Sequence, residues 1–115
     1  MPEGDEPQDG VSVHTGFPNP ATDKSLHTLD FNQLLIRHTA STYIFRVDGS
    51  EWEGAGVFDG DIAIVDRALD PKKTDVVLWW NEPEGEFAIS KYSTMPKEAV
   101  LWGVITATIH QFRKD

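Results

Sequence analysis

Residue types able to do covalent or acid–base chemistry are sparse in this 115-residue chain. There is no cysteine, which removes thiol nucleophiles, disulfide scaffolds and zinc knuckles together. His14, His27, His38 and His110 lack the spacing of metal ligands, so no metal site is expected. Asp59 and Asp61, in Phe58-Asp-Gly-Asp61, are placed for metal binding or paired acid–base work. The same text is what a tight turn before a strand requires, and the turn is the reading adopted. There is no phosphate-cradling glycine loop and no G-x-S-x-G nucleophile turn. What remains are the hydroxyl of Ser50, the carboxyl of Glu51 and the amine of Lys91 beside Ser90.

The elements that would position these groups are mostly strands. Thr42–Val47 is β-branched and aromatic, and Ile62–Val65 is an apolar run between Asp61 and Asp66. Asp75–Trp80 and Glu86–Tyr92 flank Asn81-Glu-Pro-Glu-Gly85, a five-residue hairpin loop. Val100–His110 reads as a long central or closing strand, with Gly103 marking a bulge or a close backbone approach. One helix of about two turns is expected over Asp30–His38, capped by Asp30, with Phe31, Leu34 and Leu35 on one face. Trp79 and Trp80 are adjacent on a strand, so one faces the core and Trp80 becomes a contact candidate. The fold class is therefore all-β, mainly strands with one short helix.

Charge is unevenly distributed. The formal net charge is −9, and Glu3, Asp5, Glu6 and Asp9 lie in the first ten residues without a basic neighbour. Pro18 and Pro20 forbid helix in the stretch that follows. Residues 1–24 thus read as an acidic, extended arm and residues 25–115 as one β-domain. Such a balance argues against direct, salt-dependent binding to nucleic acid, which takes a positive surface. No apolar run approaches the ~20 residues of a membrane span, and the expected location is the cytoplasm.

Three ordered stretches carry a resemblance: Gly16-Phe-Pro-Asn-Pro-Ala-Thr-Asp23, Leu29-Asp-Phe-Asn-Gln-Leu-Leu-Ile-Arg-His38, and Ala55-Gly-Val-Phe-Asp-Gly-Asp-Ile-Ala-Ile-Val-Asp66 with Gly85-Glu-Phe87 further on. Together they resemble the LexA/UmuD family of self-cleaving serine peptidases, and within it the UmuD-like accessory proteins of a translesion DNA polymerase. The resemblance implies the curved β-sheets of the LexA/UmuD C-terminal domain. It also implies a serine nucleophile, in a G-D-S-M-like motif, activated by an uncharged lysine. Gapless counting places the nucleophile at Glu51 and the base at Ser90, so neither expected residue is in place. Ser50 and Lys91 are each one residue away, but a one-residue shift on a strand turns a side chain to the other face.

Other departures point the same way. Thr15-Gly16 stands where the family's scissile bond is Ala-Gly or Cys-Gly, and only a short arm precedes it. The stretch from Tyr92 to Val100 is short for the family, and Trp52 replaces the methionine beside the nucleophile as cleft filling. The expectation is a catalytically inactive, cofactor-free accessory subunit that acts by protein–protein contact in the SOS response. Its implied partners are a second copy, a Y-family polymerase subunit, a RecA filament or a sliding clamp. Phe17, Trp80, Ile105 and Ile109 are the interface candidates. The alternatives are a self-peptidase with a displaced Ser50/Lys91 dyad, or a decoy that heterodimerises with an intact UmuD- or LexA-type protein.

Overall fold

The computed structural model describes residues 26–113. The chain divides after Asp30 into two units, and all regular structure described here belongs to the second, from Phe31 onward. Helix α1 spans Phe31–Leu35; strands β1 to β5 span Thr42–Arg46, Ile62–Asp66, Val76–Asn81, Glu86–Lys91 and Val100–Ile109. They form one five-stranded sheet in the order β1-β2-β5-β3-β4, with every neighbouring pair antiparallel. The mainly-β expectation holds, and the family's curved sheets take the form of this one sheet among the described residues. Among these residues no helix is long and apolar enough to cross a membrane.

Alternation along the strands builds two apolar clusters, one on each face. Val47, Val57, Ala63, Val65, Ile89 and Ile105 form the first, with Val76, Leu78 and Trp102 packed against it. Val77, Trp79, Ala88 and Val104 form the second. Each buried aliphatic side chain contributes roughly 1.5–3 kcal/mol relative to exposure. Trp79 is buried, whereas Trp80 is half-buried against the ring of Phe87, as the strand period requires.

Strand β5 is central, and it is irregular on both sides. Its register slips against β2 between Ile64 and Val65, and against β3 between Leu78 and Trp79. The second slip skips Trp102, since Leu78 pairs with Gly103 and Trp79 with Leu101. The bulge turns Trp102 onto the same face as its neighbour Gly103. Gly103 itself is buried, and a Cβ there would lie 2.6 Å from Val65 Cγ1 and 3.3 Å from Arg67 Cγ.

Two expectations need correction. The helix has five residues, not two full turns, and Phe31 and Leu34 are 52% and 46% exposed rather than packed. A helix this short lies below the length at which propagation repays nucleation, so tertiary ties set its end. Here the tie is His38, which leaves helical geometry and hydrogen-bonds to Asp66. Ile105, an interface candidate, is 8% exposed and belongs to the first core cluster. It pairs with both Val65 and Val76 at the sheet centre, and that leaves Ile109 and Trp80 as the half-exposed candidates.

Gly103→Ala is expected to cost about 1–3 kcal/mol, because its methyl must displace the branched Val65 side chain. Gly54→Ala, with nothing within 4 Å of the added carbon, is the control and stays within about 0.5 kcal/mol. Urea unfolding of the two variants beside the parent measures both.

Candidate functional site

The loop carrying Gly49-Ser-Glu-Trp52 is held by its own turn chemistry. The ladder continues past β1, with Val47 N–H donating to Asp61 O at 2.8 Å and Gly60 N–H to Val47 O at 2.7 Å. Asp59 Oδ1 accepts the Gly49 amide at 2.7 Å, and Asp61 Oδ2 accepts the Phe58 amide at 2.9 Å. Gly49 and Gly60 take φ of 101° and 85°, which side-chain-bearing residues rarely adopt. The Asp59–Asp61 pair therefore serves a turn, with one oxygen of each carboxylate on a backbone donor. Among the described residues no group of three or more histidines and carboxylates is gathered to hold a metal.

Trp52 fixes where this loop goes. It opens a single 3₁₀ turn over Glu53–Ala55 and accepts the amides of Ala55 and Val57. Its ring packs against both core clusters, and those contain Ala88 and Ile89 of β4. The fold thus brings the segment bearing Ser50 and Glu51 beside the strand bearing Ser90 and Lys91. Glu51 is exposed, and its carboxyl folds back over Gly49, filling the space a Cβ there would take.

Ser90 is the better-engaged partner. Its hydroxyl accepts the Trp79 indole N–H at 3.0 Å and donates to Lys91 O at 3.0 Å. It pairs with Val77 on the face of the second core cluster, whereas Lys91 pairs with Val76, whose side chain packs on the first. Lys91 is exposed and turned from the face Ser90 occupies. Thr15, Gly16 and Phe17 lie outside the described residues.

Sequence spacing did not reveal two histidine–carboxylate pairs. His38 Nδ1 lies 2.6 Å from Asp66 Oδ2, and His110 Nδ1 lies 2.6 Å from Asp61 Oδ1. Both carboxylates are buried while both imidazoles are half-exposed. The signal available was the two aspartates bracketing an apolar strand; their partners lie 28 and 49 residues away. Burial pushes the Asp66 carboxyl up, but hydrogen bonds from His38, the Ala68 amide and Ser41, with the charge of His38, outweigh it and hold it below the ordinary carboxylate range.

A carboxyl depressed on folding adds stability that is present above its unfolded pKa and lost as pH falls through the folded one. The protein should therefore lose stability on acidification below about pH 4. Asp66→Asn should be less stable than the parent at pH 7 and show a shallower decline in that window. Chemical unfolding at pH 7, 4 and 3 compares the two; parallel declines would show that Asp66 is not the titrating tie.

With this geometry in place, the relatives become interpretable. The sequence profile of the Peptidase S24-like family matches residues 9–101. Protein ImpA of Escherichia coli is 32% identical over 135 aligned positions, covering 98% of this chain and 92% of ImpA. Protein SamA of Salmonella typhimurium is 34% identical over 114 positions, covering 85% of this chain and 80% of SamA. Protein MucA of Escherichia coli is 29% identical over 89 positions, covering 77% of this chain and 60% of MucA. A profile match over residues 9–101 and relatives more than 30% identical across most of its length lead to one conclusion: the chain belongs to the Peptidase S24-like family.

Proposed function

We propose that this chain is a non-cleaving member of the family, a UmuD-like accessory subunit working by protein–protein contact in translesion synthesis within the SOS response. The observation that carries the reading is the state of Ser90. At the position where the family resemblance requires a lysine base stands a hydroxyl tied to Trp79 and to Lys91 O. A neutral amine must be desolvated and within reach of the nucleophile, and a serine supplies neither the basicity nor the length. At the position the resemblance gives to the nucleophile stands Glu51, whose carboxyl folds over Gly49.

The displaced-dyad alternative fares worse on the same geometry. Lys91 is exposed and lies on the face opposite the one Ser90 occupies. The relatives and the overall acidity support the accessory role: a subunit of net charge −9 manages a DNA enzyme without gripping the phosphate backbone. Its proposed partners are a second copy of itself and a Y-family polymerase subunit, with a RecA filament or sliding clamp in the same assembly. A cytoplasmic location belongs to the same proposal.

The purified chain should remain intact at alkaline pH, with or without activated RecA. A fragment beginning at Gly16, seen by mass spectrometry and abolished by Ser50→Ala, would instead establish the displaced dyad. Glu51→Ser combined with Ser90→Lys should bring back slow cleavage, and neither change alone should, because nucleophile and base act as a unit. Pull-down by a Y-family polymerase subunit tests the partner, and preferential capture by an intact UmuD-type protein would favour the decoy. Light scattering at tens of micromolar should give a dimer mass, and Trp80→Glu or Ile109→Glu should shift it toward monomer.

A further inference from the structure

The sheet face that carries Val65, Leu78, Ile89 and Ile105 is left partly open. A groove of about 410 Å³ lies on it, lined by Phe45, Trp52, Leu78, Phe87, Ile89 and Trp102 among others. Tyr43, Phe45 and Phe87 set their rings edge-on to Trp102, with centroids 5.2, 5.5 and 6.2 Å away. All three nevertheless stay 41–47% exposed. An aromatic patch that folding gathers but does not cover is the surface expected of a binding site.

Charged groups border the groove: Arg46 and Asp48 line it, and Arg67 stands beside its Trp102 wall. Arg67 lies over Trp102, its guanidinium carbon 4.2 Å from the ring centroid, and its Nε donates to Trp102 O at 2.8 Å. Its two terminal amino groups have no hydrogen-bond partner among the described residues, so the fork is oriented in advance and unspent. Lys91 projects from the same face, on the strand that presents Phe87 and Ile89. Asp48 lines the groove near Trp52 at the other end. Strand β1 separates the two ends, since Arg67 N–H donates to Ser41 O just before β1 and Asp48 follows it.

We infer that this groove docks an extended peptide segment of a partner protein, one with apolar side chains at alternate positions and a carboxylate that pairs with Arg67. Six or seven extended residues span the length of β1 and its flanks at about 3.3 Å each. Apolar side chains fill the aromatic groove, and a carboxylate takes the free arginine fork bidentately. An arginine with its fork unspent stands out on a chain of net charge −9, and it favours an acidic group on the ligand at that point. A second copy fits less well, because two recessed faces brought together leave their floors apart, whereas a single strand fills one. The inference concerns this face alone and does not depend on whether Glu51 and Ser90 are catalytic.

A phage-displayed library of random dodecapeptides, selected in parallel on the full chain and on its Arg67→Glu variant, tests it. The parent should select alternating apolar residues with an Asp or Glu near one end. Arg67→Glu should exchange that acid for Lys or Arg. The leading synthetic peptide, titrated by fluorescence anisotropy, should bind Arg67→Glu about tenfold or more weakly. Its Asp→Asn or Glu→Gln version should lose affinity for the parent but not for the variant. Arg67→Gln, checked for an unchanged melting profile, replaces the charge reversal if that one fails to fold. A selection without consensus, a consensus lacking the acid, or affinity indifferent to Arg67 overturns the inference. So does a parent dimer that Phe45→Glu converts to monomer, since the occupant would then be a second copy.

Discussion

The close approach of β5 to β2 at Gly103 is the constraint from which the rest of the sheet follows. With only hydrogen on its α-carbon, Gly103 lets Val65 press against the central strand. The slip beside it inserts Trp102 as an extra residue, so two consecutive side-chain positions face the same way. That one irregularity puts a tryptophan among Tyr43, Phe45 and Phe87, and gives Arg67 a ring to lie on. A regular β5 would send Trp102 to the opposite face and leave the groove without its wall. The strand order makes the effect general, because β5 joins the β1-β2 pair to the β3-β4 hairpin and any bend in it reorients both.

Strand identity was legible because it rests on period and turn chemistry. The strand expected over Asp75–Trp80, the hairpin loop after it and the long last strand all appear within a residue or so of their expected limits. Gly103 was readable as a close approach, but not what approached it, since Val65 lies far away in sequence. The helix is shorter than its spacing suggests for a related reason. The apolar spacing of Phe31, Leu34 and Leu35 is genuine, but the helix ends at Leu35, and three residues on His38 is held by Asp66, 28 residues distant. Ile105 reads as an interface residue because its strand alone does not show that Val65 and Ile89 pack on the same face. For the site, the sequence pointed to the right segments; it was silent on Trp79 bonding Ser90 and on Arg67 lying over Trp102.

The Ser90–Trp79 bond gives physical content to the proposal that no lysine base stands at Ser90. A buried indole N–H needs an acceptor, and leaving it unpaired costs about 1–3 kcal/mol. Trp79 is 8% exposed, and Ser90 Oγ supplies the acceptor at 3.0 Å. A charged lysine at that position offers donors only, so it would set donor against donor beside the indole. A neutral lysine has one lone pair to give, and giving it to Trp79 would withhold it from any nucleophile. Trp79 and Ser90 are thus mutually consistent in a way that Trp79 and a working base are not.

The loop opposite is built from different materials, and that difference bears on what the fold retains. Its shape rests on Asp59 holding the Gly49 amide, on the ladder through Val47, Gly60 and Asp61, and on Trp52 wedged against both clusters. None of these contacts uses the side chain at Ser50 or Glu51. The frame that would present a nucleophile is therefore energetically independent of whether one is present. Chemistry at such a position can disappear without cost to the fold, because the groups that hold the loop are not the groups that would react. What the fold cannot give up so freely is its aromatic face: Trp102 packs against Tyr43, Phe45 and Phe87, and it takes part in the bulge that shapes β5. Surface and sheet geometry are coupled there, as the frame and the reactive positions are not: a change to Trp102 alters the exposed face and the bend of β5 together.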